Sequence, residues 1–165
     1  MRWLLCAYML LSCETSLIGD DRPALPQDLA VKVTEAMKFP IITIEYQNNS
    51  NGPLRIWSAS NSWGWRNLRF SVVLKDGRMI YIERKDRDFI KNNPNFTTVE
   101  GSKNVSRDVD LQDGWWDITE LNDFKDVRYV SAIFAVAPTE LGEKHGAWTG
   151  LSVSPWVAIQ PKASK

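Results

Sequence analysis

Apolar and polar residues alternate with a period of two along most of the chain, a pattern typical of β-strands that bury one face. The alternation is clearest in residues 68–74, where positions 68, 70, 72 and 74 are all apolar. No window repeats apolar residues at the three- and four-residue spacing of an amphipathic helix. The pattern therefore predicts a fold built almost entirely from strands.

Turn signals separate these apolar segments at short intervals. The predicted strands cover residues 29–33, 39–46, 54–57, 68–74, 79–84, 105–111, 127–136, 148–154 and 156–159. Asp76-Gly77 predicts a tight hairpin of type I′, in which both central residues take a positive φ. Two polar segments, 85–96 and 137–147, predict loops. About 7–9 short antiparallel strands with frequent turns predict an all-β, immunoglobulin-like β-sandwich, and a closed small barrel is the alternative.

The last long apolar run, residues 127–136, predicts the first strand of a closing hairpin. The segments 148–154 and 156–159 return beside it, interrupted by Pro155. Period two places Tyr129 and Phe134 on opposite faces of this strand. Trp148 and Trp156 stand beside small residues, which predicts that both indoles pack against the sheet.

Length and composition limit the range of functions. A chain of 165 residues predicts one folded domain. Twenty basic and twenty acidic residues cancel, so the chain lacks the basic charge of a nucleic-acid-binding protein, and we expect no nucleic-acid partner. Both cysteines, Cys6 and Cys13, precede the predicted strands. The domain therefore has no disulfide and depends on its hydrophobic core.

The N-terminus has the form of an export signal, with a basic residue followed by a short apolar stretch, residues 3–11. That stretch is too short to span a bilayer, which takes about 20 apolar residues. It ends in Leu10-Leu11-Ser12-Cys13, which resembles the lipobox of bacterial lipoproteins. The resemblance covers these four residues. It implies that residues 1–12 are a signal peptide and that Cys13 is lipidated.

The resemblance also implies a location. A lipid on Cys13 would anchor the chain in a membrane of the bacterial cell envelope, on its extracytoplasmic side, and ordinary secretion is the alternative. Residues 13–27 are polar and contain Pro23 and Pro26, which predicts a flexible tether. The folded domain is then predicted to cover residues 28–165.

Three segments of the C-terminal half carry a second resemblance. They are Asp113-Gly114-Trp115, the strand from Tyr129 to Phe134, and the segment from Trp148 to Ser154. Together they resemble small bacterial extracytoplasmic sandwich domains and the immunoglobulin-like proteinase-inhibitor domains of bacteria. The resemblance implies the sandwich fold, and it makes proteinase inhibition an alternative function.

The residue types needed for common catalytic or metal sites are sparse. The only histidine, His145, lies in a predicted loop, and one histidine without cysteine in the domain cannot form a zinc site of nitrogen and sulfur ligands. The run 108–114 places its glycine at position 7 instead of the position 6 that a calcium loop requires. No G-x-S-x-G segment is present. We therefore predict that the chain is not an enzyme and holds no metal or cofactor.

Tryptophan provides the one candidate site. Trp63 and Trp65 flank Gly64 in a predicted loop, and if that loop is extended both indoles project to the same side. Such a pair would form a platform for a sugar or peptide, whereas the alternative is a lid over the core. Trp115 and Trp116 should point in opposite directions, so at most one is core. Trp116 joins Trp63 and Trp65 as a candidate ligand-binding residue.

These observations favour a non-enzymatic, lipid-anchored extracytoplasmic domain. Its partner is predicted to be a protein or an envelope component, bound by loops at one end of the sandwich. A carbohydrate-binding module that uses Trp63 and Trp65 is one alternative. A proteinase-inhibitor-like domain is the other.

Overall fold

The computed structural model describes residues 28–36, 39–90 and 92–159. The predicted signal peptide (1–12), the predicted tether (13–27) and Cys13 lie outside these residues, as do residues 160–165. Ten strands and two short helices are described. They are β1 (Leu29–Glu35), β2 (Ile41–Asn48), β3 (Leu54–Trp57), α1 (Ser62–Trp65), β4 (Leu68–Leu74), β5 (Met79–Ile82), β6 (Phe96–Val99), β7 (Asn104–Asp110), β8 (Val127–Val136), α2 (Glu140–His145), β9 (Gly150–Val153) and β10 (Val157–Ala158).

The strands form three antiparallel sheets. One sheet has the order β1-β2-β7. The second has five strands in the order β10-β8-β4-β5, with β9 also paired to β8. The third is the ribbon of β3 and β6. A mainly β fold with antiparallel pairing, as predicted from the alternation, is confirmed.

One hydrophobic core joins the three sheets. The alternation in β4 buries Phe70 and Val72 completely, and the same period buries Ile42 and Ile44 in β2. Tyr46 of β2 meets Phe134 of β8 edge to face, with ring centres 5.1 Å apart. Aromatic pairs of this geometry add about 0.5–1.5 kcal/mol beyond the burial of their surface.

The predicted hairpin at the C-terminal end is confirmed, although its returning strand is broken. β9 pairs with Ile133–Val136 and β10 with Tyr129 and Val130, on the same edge of β8. Between them the Ser154 amide donates to the Ala132 carbonyl, and the Ser154 hydroxyl accepts from the Ala132 amide, both at 2.8 Å. A side chain thus replaces one backbone partner where Pro155 interrupts the ladder.

The two faces of β8 differ as predicted. Tyr129 is 47% exposed, whereas Phe134 is 2% exposed and stacks on Trp148 with ring centres 5.8 Å apart. The prediction that Trp156 packs against the sheet is wrong, because this residue lies in the break between β9 and β10 and its indole is exposed.

Two elements were not predicted from the sequence. Phe96–Val99 form β6, which pairs with β3. Residues 140–145 form α2, in which Thr139 accepts a hydrogen bond from the Gly142 amide. Gly146 ends this helix with a φ of +62°, a left-handed conformation that glycine adopts without strain. These capping residues were the sequence signal for the helix.

The turn at Asp76-Gly77 differs from the type I′ prediction. The Leu74 carbonyl accepts from the Gly77 amide, and the Leu74 amide donates to the Arg78 carbonyl. Gly77 has a φ of +85°, while Ser102 is the only described non-glycine residue with a positive φ. The three-residue loop is therefore a turn followed by a glycine bulge, which is another common hairpin solution.

In the part of the chain that the structure covers, no helix is long and apolar enough to cross a bilayer.

Candidate functional site

The predicted tryptophan platform is absent because its loop is helical. Residues 62–65 form α1, and the Asn61 side chain caps it by accepting from the Gly64 amide at 2.9 Å. A Cβ on Gly64 would lie 2.1 Å from the Ser58 carbonyl oxygen, so only glycine allows this close approach. The condition for a platform, an extended loop with both indoles on one side, is therefore not met, and the two rings enter different clusters.

Trp63 belongs to an aromatic stack on the β3–β6 ribbon. Its ring stacks on Trp57 with centres 5.2 Å apart, and Trp57 stacks in turn on Phe96 at 4.3 Å. Trp57 is buried, and Trp63 is half-buried beside it. This arrangement agrees with the alternative in which the indole covers the core.

Trp65 lies in a second cluster, which we name the Trp65 cluster: Trp65, Arg84, Arg87, Trp115 and Trp116. The guanidinium carbon of Arg84 lies 4.1 Å from the centre of the Trp65 ring and 4.5 Å from that of Trp116. The Trp65 indole donates to the Lys85 carbonyl at 2.8 Å. Trp65 is 5% exposed and Trp116 is 1% exposed. The chain's own cation therefore occupies the position that a stacked sugar would take on either ring.

Trp115 is the open member of the Trp65 cluster. It is 41% exposed and meets Trp65 edge to face at 5.5 Å, so only Trp116 of this pair lies in the core, in line with the prediction that at most one does. Arg87 lies about equally close to Trp65 and Trp115, at 5.1 and 5.0 Å. Burial lowers the pKa of the Arg84 guanidinium, and the carboxylate of Asp113 opposes this effect.

A cavity of about 410 Å³ opens beside the Trp65 cluster. Its lining mixes ring edges, carboxylates and guanidinium groups: Ser62, Trp65, Arg66, Asp86, Arg87, Asp88 and Phe89. Arg66 pairs with Asp86 at 3.0 Å across this lining. Planar polar groups beside an aromatic ring can hydrogen-bond a small polar molecule such as a sugar.

His145 is the last residue of α2 instead of a loop residue. Its ring lies 5.6 Å from Phe96, and its carbonyl accepts a hydrogen bond from Arg55. Among residues 28–36, 39–90 and 92–159, no three His, Cys, Asp or Glu side chains are grouped to hold a metal ion.

The outward surface of the β1-β2-β7 sheet is polar, and we name it the polar face. Its side chains form hydrogen bonds between neighbouring strands: Lys32 to Gln47, Thr43 to Asp108, and Asn104 to Glu45. Asp108 and Asp110 alternate with the buried Val109, as the sequence pattern predicts. This surface is what an antiparallel sheet presents when its outer side faces water.

The outward surface of the five-stranded sheet is different, and we name it the apolar face. Residues directly opposite in antiparallel strands point to the same side, and the register places Tyr81, Ser71 and Ser131 in one row across the sheet. The large exposed side chains of this surface are Met79, Tyr81, Tyr129, Leu151 and Val153, with the half-buried Val73, Ile133 and Ala135 between them.

The apolar face has a relief along its strands. Met79 and Tyr129 stand at one end, both paired across the sheet to Val73. The other end holds a shallow depression of about 320 Å³, lined by Arg69, Tyr81, Glu83, Ile133, Ala135 and Leu151. We name the end with Met79 and Tyr129 the raised end and the end with the depression the hollow end.

Ion pairs border both ends of the apolar face, with equal numbers of positive and negative groups. At the hollow end Arg66 and Arg69 pair with Glu83 and Asp86 at 3.0–3.1 Å. At the raised end Lys75 pairs with Asp126 at 3.1 Å, and Arg78 pairs with Asp76 at 2.8 Å. The border therefore favours neither an acidic nor a basic partner.

Comparison of the chain with family models, with curated proteins and with solved structures returned no match. The apolar face is therefore a candidate site on the geometry of the chain's own residues alone. The apolar face was not predicted from the sequence, because a long apolar run such as that of β8 does not show which of its side chains lie in the core. Its signal was the apolar residues in both alternating positions of β8, such as Phe134 and Ile133.

Proposed function

We propose that the chain is a non-enzymatic, lipid-anchored extracytoplasmic binding domain. In this proposal its sheets pack as an immunoglobulin-like sandwich, and the apolar face docks a protein partner. The observation that carries the proposal is the group of five large apolar side chains on this face, each between 47% and 61% exposed. Contiguous exposed apolar surface of this kind marks interaction sites in soluble domains.

The proposed binding surface is the face of a sheet, whereas the sequence favoured the loops at one end of the sandwich. Tyrosine and methionine are enriched where proteins meet, because they bury much area with few rotatable bonds or with adaptable packing. Tyr81, Tyr129 and Met79 supply these groups. The paired border charges would surround such an interface as a polar rim.

The anchor is supported by the lipobox-like sequence Leu10-Leu11-Ser12-Cys13. The carbonyl of Asp28 accepts a hydrogen bond from the Asn49 amide at 2.7 Å, so Asp28 is held beside the end of β2. The fifteen residues of the predicted tether, 13–27, would span roughly 50 Å when fully extended. A domain held at that distance reaches partners close to the membrane.

The anchor is tested by metabolic labelling with a fatty acid. Label should enter the full chain and be lost in Cys13→Ser, because the thiol is the acylated group. Label that persists in Cys13→Ser would contradict the anchor and would leave the binding proposal untouched.

The docking surface is tested by photo-crosslinking the full chain in its native envelope. A photoreactive amino acid at position 129 should give adducts of defined mass, and the same group at position 43, on the polar face, should not. Adding Tyr81→Lys to the first chain should suppress its adducts, because a charge would be buried against the partner. Equal adduct yields from positions 129 and 43 would overturn the proposal.

The cavity beside Trp65 favours one second candidate, a carbohydrate-binding module. Titration with cell-wall and plant polysaccharides should then change the tryptophan fluorescence of the wild type. The change should be lost in Asp88→Ala, a variant of an exposed lining residue, and kept in Asp110→Ala on β7. Unchanged fluorescence across the polysaccharides would remove this candidate.

A further inference from the structure

We propose that the partner docked on the apolar face is a second copy of this chain, related to the first by a two-fold axis across the strands near Ser71 and Ser131. The inference rests on the proposed docking function of this face and names its occupant. Three observations carry it: the relief of the face, the charges on its border and its area.

The relief of the apolar face is self-complementary. Tyr129 and Ile133 lie on the same side of β8, four residues apart and on either side of Ser131. An axis through Ser131 therefore places the raised Tyr129 of one copy over the hollow at Ile133 of the other. The interface of a two-fold dimer repeats each such contact twice.

The row through Ser71 and Ser131 would lie along the axis. These two side chains are small and buried, and Tyr81 stands at the edge of the same row. Each Tyr81 would then face its own counterpart. Small residues at the centre let two sheets approach to the spacing of about 10 Å that packed sheets adopt.

The border charges are compatible with a copy of the same chain. The arginines at the hollow end are balanced by Glu83 and Asp86, and each cation at the raised end has its own carboxylate partner. A partner with a strong net charge would find no excess of opposite charge on this border, because the border charges already pair with one another. A second copy brings an equally neutral border, so no like-charge repulsion opposes the pairing.

The area of the face approaches that of a specific interface. Five large exposed side chains lie on it. At roughly 200 Å² for each large side chain, about half of it exposed, these five offer on the order of 500 Å². A standard interface uses about 800 Å² per partner, and the half-buried Val73, Ile133 and Ala135 lie within the same surface.

The test measures the mass of the detergent-extracted full chain by density-matched sedimentation equilibrium. At about 100 μM, where a Kd of about 1 μM gives nearly complete association, the protein mass should be twice that of a single mature chain. Tyr129→Lys and Ile133→Glu should each raise Kd by about 30-fold or more, the size of a hot-spot loss. The matched control Thr43→Lys, on the polar face, should leave Kd unchanged.

Mixing the two variants provides a rescue that a folding defect would not give. In a heterodimer of Tyr129→Lys with Ile133→Glu, one contact places the new lysine opposite the new glutamate, and the other is the native pair. The mixture should therefore recover association. Circular dichroism of each variant should match the wild type.

A monomeric wild type at this concentration would overturn the inference, as would a mixture that stays monomeric or a dimer that only Thr43→Lys disrupts. A monomeric chain that still gives adducts from position 129 in the envelope would leave the docking proposal standing with a different protein as partner. Loss of those adducts as well would end both proposals.

Discussion

The outward faces of the two larger sheets have the same strand geometry, but one presents polar side chains and the other presents apolar ones. On the polar face, side chains such as Thr43 and Asp108 hydrogen-bond across strands while they face water. On the apolar face, Tyr129 and Met79 occupy equivalent outward positions and are about half exposed. Because a sheet needs only one apolar side to fold, the second apolar side agrees with the docking function that we propose for it.

The Trp65 cluster sharpens this contrast. It holds three tryptophans, yet the faces of Trp65 and Trp116 are covered by Arg84 from the same chain. The apolar face has fewer large rings, and they are open. Exposure of apolar surface therefore indicates the binding surface better than the number of aromatic residues does.

The largest expected effect separates the two sides of β8. Phe134→Ala should lower the free energy of unfolding by about 3–5 kcal/mol, because it removes a buried ring from the core. Tyr129→Ala, on the outward side, should change it by about 0.5 kcal/mol or less in the monomeric chain. Urea titration of both variants at a dilute concentration measures the difference. A cost for Tyr129→Ala close to that of Phe134→Ala would place the apolar face in the core.

The next effect concerns the Trp65 cluster. Arg84→Ala should cost about 1–2 kcal/mol of stability, because the half-buried guanidinium interacts with both Trp65 and Trp116. Arg87→Ala is the matched control and should cost less, since Arg87 is exposed and its distances exceed 5.0 Å except to Trp115. Unfolding followed by tryptophan fluorescence measures both. A larger cost for Arg87→Ala would contradict the proposed packing.

A smaller effect is the pH dependence of stability that arises from Tyr46, which packs between the two larger sheets. Burial raises the pKa of the Tyr46 hydroxyl above its usual value of 10.0, although Arg107 donates to it at 3.0 Å. Tyrosine in the unfolded chain ionises near pH 10, while buried Tyr46 keeps its proton, so the folded state binds more protons there. The free energy of unfolding should therefore fall as pH rises above about 10.

Tyr46→Phe removes this contribution. The variant should lose about 1 kcal/mol at neutral pH with the hydrogen bond from Arg107, and its stability should fall less steeply above about pH 10 than that of the wild type. Urea titrations from pH 7 to about pH 11 compare the two slopes. Identical slopes would show that ionisation of Tyr46 is not linked to unfolding.

The smallest expected effect lies on the polar face. Asp108→Ala removes the exposed hydrogen bond from Thr43 and should cost about 0.2–1 kcal/mol, the range of a cross-strand pair. Ser106→Ala, two residues earlier on the same side of β7, should cost less. Urea titration of both variants measures these losses of unfolding free energy. A loss above about 2 kcal/mol for Asp108→Ala would mean that the polar face contributes to the core.

Local residue pattern predicted most of the sheet structure. Period two located the inward sides of β2, β4 and β8, because burial of one side dictates every second residue. Helix α1 could not be predicted in this way. It depends on the close approach of Gly64 to the Ser58 carbonyl and on a cap from Asn61. Neither contact leaves a periodic pattern of apolar residues in the sequence.

The candidate site was harder to predict than the fold for a related reason. Where both alternating positions are apolar, as in Ile133 and Phe134, sequence alone does not distinguish a strand buried on both sides from one with an exposed apolar side. The strand register resolves this, because it places Tyr81 and Leu151 on the same outward side as Ile133. The tryptophans made the loop end the predicted site, but Trp65 and Trp116 are buried there.

Hydroxyl-radical footprinting tests the central claim, that the apolar face is covered by a protein in the native envelope. The full chain is oxidised in the envelope and, for comparison, as a dilute detergent-extracted protein. Oxidation of Met79, Tyr81 and Tyr129 should fall several-fold in the envelope, while Trp115, which is exposed outside this face, should react equally in both. Equal oxidation of Met79, Tyr81 and Tyr129 in the two samples would contradict the claim.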